Sequence, residues 1–232
     1  MSQNIQNLKQ QAAEHAVTFI ESGMIVGLGT GSTAILAVRR LAQLLHEGQL
    51  QNIVGIPTSV GIEQEALKLG IPLTTLEEHP TVDLTIDGAD EVDPQLDVIK
   101  GGGGALLREK IVAQATQRQV IIVDDSKRSD ALGTKWAIPI EVISFGWGSQ
   151  QHFLEGLGAE VKLRMAGDAP FVTDHGNYIL DSNFGPIADP YELDEQLNRR
   201  VGIVEHGLFL NLVTDVIVAS PEGIQHLNNS GA

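Results

Sequence analysis

The chain has 232 residues, 42% of them apolar, no cysteine, and 15 Lys and Arg against 30 Asp and Glu, for a net charge of -15. That length and apolar content support a packed interior in one large or two modest domains, and the negative charge repels phosphate backbones and anionic lipid, so no nucleic acid and no membrane partner is expected. Without cysteine there is no disulfide framework, thiolate zinc site or cysteine nucleophile. The opening MSQNIQNLKQQAAEHAV carries no signal-peptide pattern and no apolar run approaches about 18 residues, so a cytoplasmic location is expected.

Apolar residues at helical spacing predict a first helix over 4–21, ending at Ser22-Gly23, followed by a strand at Met24–Leu28. Helical patterns at 35–45, 61–69 and 105–117 then alternate with short apolar strands at 52–56, 82–86 and 119–123. Such alternation implies a Rossmann-like α/β fold, a mostly parallel sheet with helices on both faces. Past Lys135 the rhythm changes to strand 138–143, helix 149–157, strand 159–165, strand 177–182, helix 191–199 and strand 201–204. That is the order of a ferredoxin-like α+β unit. The apolar stretch 208–219 is expected to return to the first domain, which makes 1–134 and 207–232 the larger α/β domain and 135–206 a small inserted one.

In open parallel sheets ligands bind beyond the carboxyl ends of the strands, at the crevice where strand order reverses. Each predicted strand of the first domain ends in polar residues: GTGSTA at 29–34, Pro57-Thr58-Ser59, Asp87-Gly88-Ala89-Asp90, and Asp124-Asp125-Ser126-Lys127. Gly29, Gly31 and Ala34 satisfy G-x-G-x-x-G/A, yet no acidic residue ends the second strand to hold a ribose hydroxyl, and no Lys-Ser or Lys-Thr follows the glycines. What remains is a helix N-terminus with Thr30, Ser32 and Thr33, suited to one phosphate monoester; the competing reading is an ordinary Ser or Thr helix cap. Asp87 and Asp90 flank a Gly-Ala turn and suit sugar hydroxyls or proton transfer, against the alternative of a solvated acidic turn. The run Lys100-Gly101-Gly102-Gly103-Gly104 costs chain entropy that a close backbone approach to a ligand would explain. In the following helix Leu106, Leu107 and Ile111, with Lys110, are expected on the packed side, leaving Glu109 for another face. The seven His residues form no i, i+4 pair, so no zinc site is expected, and His206 reads as structural.

The ordered set GLGTGSTA, DGADEVD, KGGGGALLREK and DDSK, with PFVTDHGNYILD and VEHGLFLNLVTDVIV later, closely resembles the type A ribose-5-phosphate isomerases over nearly the whole chain. Ser144 and Val201 stand where that pattern has proline, and Gly167-Asp168-Ala169 occupies a loop of variable length. The resemblance implies interconversion of D-ribose 5-phosphate and D-ribulose 5-phosphate in the pentose phosphate pathway, without metal or cofactor, by a homodimer or a dimer of dimers. It implies Glu109 as base, and substrate contacts from Thr30, Gly31, Ser32, Thr33, Asp87, Gly88, Ala89, Asp90, Lys100, Gly101, Gly102, Gly103 and Lys127. Lys9 is a further candidate for a phosphate contact. The chemistry agrees: one carboxylate can carry a proton from C2 to C1 through an enediolate, and Lys100 with the glycine N–H groups can hold the oxyanion. Ring opening falls to Asp87 or Lys100. Two other classes compete. A coenzyme A transferase with a nucleophilic glutamate would need an acyl-carrier pocket where the second strand end is short and polar. A sugar-phosphate sensor would need a basic helix-turn-helix, which this chain lacks.

Overall fold

The computed structural model describes residues 2–228, with side chains from Ile5 onward; residue 1 and residues 229–232, which the expected larger domain includes, lie outside the described residues. In chain order the elements are α1 (Ser2–Val17), β1 (Ile25–Leu28), α2 (Ala34–His46), β2 (Val54–Pro57), α3 (Val60–Lys68), β3 (Val82–Gly88), β4 (Glu91–Val92), β5 (Val98–Ile99), α4 (Leu106–Gln114) and β6 (Thr116–Asp124). They continue as β7 (Ile138–Val142), α5 (Trp147–Gly156), β8 (Glu160–Leu163), β9 (Met165–Ala166), β10 (Ala169–Pro170), β11 (Tyr178–Asn183), α6 (Pro190–Asn198), β12 (Ile203–His206), β13 (Leu208–Phe209), β14 (Asp215–Ser220) and β15 (Gly223–Asn228). A 3-10 turn at Asp125–Lys127 follows β6.

Two compact units result. The first comprises the chain up to Ala89, Arg108–Lys127 and the chain from Leu212 on; the second comprises Asp90–Leu107 and Arg128–Asn211. This division differs from the expected boundaries at 134/135 and 206/207. The reason is a small sheet that sequence patterning does not reveal: β5 pairs antiparallel with both β4 and β13, and Val92 bridges Arg128. Strands of two residues carry no periodicity, so the segments around them read as loops.

In the first unit six strands run in the order β15-β14-β6-β3-β1-β2, parallel throughout except for the antiparallel edge strand β15. The central strands are near-continuous apolar runs, as strands buried on both faces must be. Ile25 and Val26, adjacent on β1 and therefore on opposite faces, belong to different cores. Val26 and Leu28 pack with α1, α2 and α3 through Ala12, Ala16, Leu41 and Ile62. Ile25 packs with Ile56, Val82 and Val112 of α4. Helices thus cover both faces of a mostly parallel sheet. Helix α4 stops at Gln114, short of the expected 117, because Thr116 already opens β6 and its hydroxyl donates to the Val112 carbonyl at 2.6 Å.

The second unit carries an antiparallel sheet in the order β12-β7-β11-β8, with α5 between β7 and β8 and α6 between β11 and β12. Its core is Ile138, Ile140 and Val142 against Leu154, Leu180 and Leu197. The alternating run 159–165 is not one strand: β8 ends at Leu163, and Met165–Ala166 turns off to pair with β10. The segment 208–219 also divides, β13 pairing in the second unit and β14 in the first.

The buried carboxylate Asp215 organises the far end of the first sheet. It receives Arg118 through Nε at 3.0 Å and Nη2 at 2.9 Å, the Thr214 hydroxyl at 2.7 Å, and faces His226 Nε2 at 2.7 Å. Burial alone would raise its pKa; the bonds from Arg118, Thr214 and His226 outweigh that and hold it at about 2, against an ordinary 3.8. Its stabilising contribution is therefore complete above about pH 4 and is lost as the pH falls through 2. Asp215→Asn is expected to cost about 1–3 kcal/mol in urea unfolding at pH 7. The gap to the wild type should close at the acid end of that range.

Candidate active site

Strand order reverses between β1 and β3, since β2 lies on one side of β1 and β3 on the other. The carboxyl ends of β1 and β3 therefore form the switch point of the sheet. Two glycines let these strands carry large side chains toward each other: a Cβ on Gly27 would collide with the Thr85 side chain, and one on Gly29 with Asp87 and the Ile86 carbonyl. Asp87, 1% exposed, accepts through Oδ1 from the N–H of Thr30 at 3.0 Å and of Gly88 at 2.7 Å. The carboxylate at the end of β3 thus fixes the turn at the end of β1.

Within that turn the three hydroxyls differ. Thr30 lies 2.8 Å from the Thr58 hydroxyl and donates to Ser59 at 2.9 Å, while Thr58 donates to the Leu28 carbonyl at 2.9 Å. Thr30 is thus occupied in tying the β1 and β2 ends together, and Ser59 also caps α3 by accepting from Ile62 N at 3.2 Å. Thr33 precedes α2 in a helical conformation and makes no side-chain cap bond, which weighs against the ordinary-cap reading. Ser32 is exposed beside Gly31 and accepts from Lys9 Nζ of α1 at 2.9 Å. A lysine and two hydroxyls at a helix N-terminus have the chemistry that suits a small anion.

Also in the first unit, Glu109 lies in the first turn of α4 and is 5% exposed. Here the expectation is corrected. Leu106, Glu109, Lys110 and Ala113, at i, i+3, i+4 and i+7, are buried together with Val112, while Ile111 is 45% exposed. Leu106 and Lys110 are buried as expected, whereas Glu109 is buried and Ile111 is not, because apolar spacing does not foresee a carboxylate on the buried face. Lys127 ends the 3-10 turn after β6 and is partly exposed; the turn is pinned by Asp124 Oδ1 accepting from Ser126 N at 3.1 Å.

The second unit holds the other group of candidates. Asp90 N donates to the Ile99 carbonyl, and Asp90 Oδ2 accepts from Gly102 N at 2.7 Å, so the acidic turn and the glycine turn form one structure. Gly101 and Gly104 have φ of +100° and +83°, closed by a bond from Gly104 N to the Gly101 carbonyl. At Gly102 a Cβ would sit 2.7 Å from the Asp90 carboxylate. Three of the four glycines are thus required by geometry or by contact. Lys100, 2% exposed, anchors the turn through N–H to the Gly207 carbonyl, with Nζ 5.6 Å from the centre of the Phe209 ring.

Other acidic residues of the motif serve the scaffold. Glu91 accepts from the N–H groups of Gly133, Lys135 and Trp136 at 3.0, 3.0 and 3.1 Å. In the TDHGN segment Thr173 and Asn177 bind buried Glu141 at 2.8 and 2.9 Å. His206 is fully buried with Nε2 3.3 Å from Asp194. Among the described residues no His, Cys, Asp or Glu cluster could hold a metal ion, and no helix is long and apolar enough to cross a membrane. Sequence reasoning did not single out Thr58 and Ser59 as partners of Thr30, although their position at a strand end marks them.

Residues 54–223 match the family model described as ribose 5-phosphate isomerase A (phosphoriboisomerase A). A ribose-5-phosphate isomerase A of Chloroflexus aurantiacus is 58% identical over 223 residues, spanning 96% of this chain and 93% of that protein. The solved structure of the Plasmodium falciparum ribose 5-phosphate isomerase matches with a TM-score of 0.94 at 40% identity, over 97% of this chain and all (100%) of that one. A D-ribose-5-phosphate isomerase in complex with phospho-erythronic acid matches with a TM-score of 0.95 at 39% identity, over 97% and 99% of the two chains.

Asp93, behind the acidic turn, gives a titration signature. Its Oδ1 accepts from the N–H groups of Gln95 and Asp97, both at 2.9 Å. Burial, and then the neighbouring charges of Asp97 and Glu91, push it up to about 6 from 3.8. The folded state therefore binds a proton that the unfolded state has released. The stability from this proton is complete below about pH 4 and is lost as the pH rises through 6. Asp93→Asn retains the acceptor oxygen and should flatten that slope, raising stability at pH 7 by about 1–3 kcal/mol in urea unfolding. An unchanged slope would assign the titration elsewhere.

Proposed function

The chain belongs to the ribose 5-phosphate isomerase A family and is an isomerase of that class, and from this we propose that it interconverts D-ribose 5-phosphate and D-ribulose 5-phosphate with Glu109 as the proton carrier. The observation that carries the mechanistic reading is a carboxylate only 5% exposed in the first turn of a helix that follows a four-glycine turn.

Glu109 takes the proton from C2 of the open-chain aldose. The C2–H electron pair becomes the C1–C2 double bond of an enediolate, and charge moves onto O1. Return of the proton to C1, with proton exchange between O2 and O1, leaves the carbonyl at C2. The oxyanion is held by Lys100 and the N–H groups of Gly101 and Gly103, donors fixed before reaction begins, with Gly102 between them held by its own N–H. Asp90 serves this arrangement through its bond to Gly102. The sugar enters as a ring, and opening it needs a proton acceptor on the anomeric hydroxyl and a donor to the ring oxygen. Asp87 and Lys100 are the groups assigned to that step.

The phosphate is assigned to Gly31, Ser32 and Thr33 with Lys9, supported by the Lys9 to Ser32 contact and the unused cap at Thr33. Thr30 shapes this site through its ties to Asp87, Thr58 and Ser59. Gly88, Ala89 and Lys127 complete the proposed substrate contacts. By family the protein is further expected to work in the pentose phosphate pathway, in the cytoplasm, as a homodimer or dimer of dimers.

The purified protein should isomerise ribose 5-phosphate with chelator present. Glu109→Gln should lose at least about a hundredfold in kcat; near-wild-type turnover would remove Glu109 as the base. Ser32→Ala combined with Thr33→Ala should raise KM with less effect on kcat. An unchanged KM would move the phosphate elsewhere.

A further inference from the structure

Arg164 follows β8, and its side chain reaches the glycine turn of the same unit. Nη1 donates to the carbonyls of Gly101 at 3.0 Å and Gly102 at 3.1 Å. The rest of the guanidinium is held by the Asp181 carboxylate of β11, Nε to Oδ2 at 2.9 Å and Nη2 to Oδ1. The Phe171 ring lies 5.8 Å from the guanidinium carbon and also fills the space where a side chain at Gly104 would stand, 2.5 Å from its Cβ. The backbone at Arg164 is fixed as well, its N–H donating to Ile179 and its carbonyl accepting from Phe171.

A peptide unit is planar and trans, so its C=O and N–H point in opposite directions. The unit joining Gly101 to Gly102 is held at both edges, its carbonyl by Arg164 and its N–H by Asp90 at 2.7 Å. The next unit has its carbonyl on the same Arg164 nitrogen, which directs the N–H of Gly103 away from Arg164. A run of glycines has more conformational freedom to lose than any other sequence. The orientation of the Gly103 N–H therefore depends on bonds from outside the run, and Arg164 supplies the bond to its peptide.

We propose that Arg164 is a positioning residue for the isomerisation: by holding the Gly101 and Gly102 carbonyls it aims the Gly103 N–H at the oxyanion that develops on the substrate. This rests on the reading of the glycine turn as part of the active site. An arginine suits the task because its planar fork binds Asp181 on two nitrogens while a third serves the carbonyls. A purely structural ion pair would alter stability without altering the balance between kcat and KM.

The experiment measures kcat, KM and thermal unfolding for Arg164→Met, Arg164→Lys and Glu109→Gln in parallel. Arg164→Met should lose about 10–100-fold in kcat, because one misaligned donor weakens the transition state, with KM within about threefold. Arg164→Lys should recover part of the loss, since an ammonium still donates to a carbonyl but lacks the fork. A kcat for Arg164→Met within twofold of wild type overturns the proposal, as does a loss that merely tracks the folded fraction. Should Arg164→Met fail to fold, Arg164→Lys and Asp181→Asn decide by the same comparison of kcat with KM. If Glu109→Gln keeps its turnover, the active-site reading itself fails; if Glu109→Gln is inactive and Arg164→Met is not, only the role of Arg164 falls.

Discussion

The close approach of β3 to two glycines, one within β1 and one just after it, is the constraint from which the first unit's chemistry follows. Gly27 and Gly29 leave room for Thr85 and Asp87, and nothing larger than hydrogen fits at either position. Only because Gly29 is bare can the Asp87 carboxylate lie over the β1 end and take the N–H groups of Thr30 and Gly88. That single oxygen sets the GTGST turn, and the turn sets where Ser32 meets Lys9. A parallel sheet brings polar groups to its switch point by topology. The glycines determine how near they come.

The second unit solves a related problem in the opposite way. In β1, glycine is used inside a rigid strand, where the ladder fixes the backbone and the missing Cβ makes room. In the 101–104 turn the glycines supply positive φ and close contact, but the backbone there has no ladder. Its order comes from side chains: Asp90 below Gly102, Arg164 on two carbonyls, Phe171 against Gly104. A turn rich in N–H donors would otherwise lose much of its value as a preorganised site, since its freedom would have to be removed at the moment of reaction.

Much of this was legible in the residues. The strands β1, β2, β3 and β6 are apolar runs bounded by turn residues, and their polar ends point to one region of the sheet from the sequence alone. The strands β4, β5 and β13 were not legible, since pairs of residues show no period, and the two compact units differ from the expected boundaries where those strands lie. Helix α4 misled for a different reason. Lys110 is buried as expected, but Glu109 takes the place on the buried face expected of Ile111, and a hydrophobic count assigns a carboxylate to the outside. Charged side chains on a buried face are costly unless they are partnered or put to use, which is what singles out Glu109 for the proposed role. Arg164 left no signal at all, because one arginine at a polar position of the alternating run 159–165 reads as a solvated residue. Its contact with the glycine turn, 62 and 63 positions away in sequence, exists only in the fold.

The electrostatics become coherent once the acidic residues are sorted by what they hold. A net charge of -15 opposes the approach of a phosphorylated substrate. Yet Asp87, Asp90, Glu91 and Asp124 all accept from backbone N–H groups, and each of these bonds spreads part of the carboxylate's charge over the peptide it holds. Negative charge of this kind is consumed in shaping loops. The groups assigned to the phosphate are of the other sign: a helix N-terminus, two hydroxyls and Lys9. At 0.15 M salt the field of distant surface carboxylates decays over roughly 8 Å, whereas a lysine and peptide dipoles in direct contact with the anion are scarcely screened. Local donors therefore outweigh the distant carboxylates in setting the potential at the proposed phosphate position.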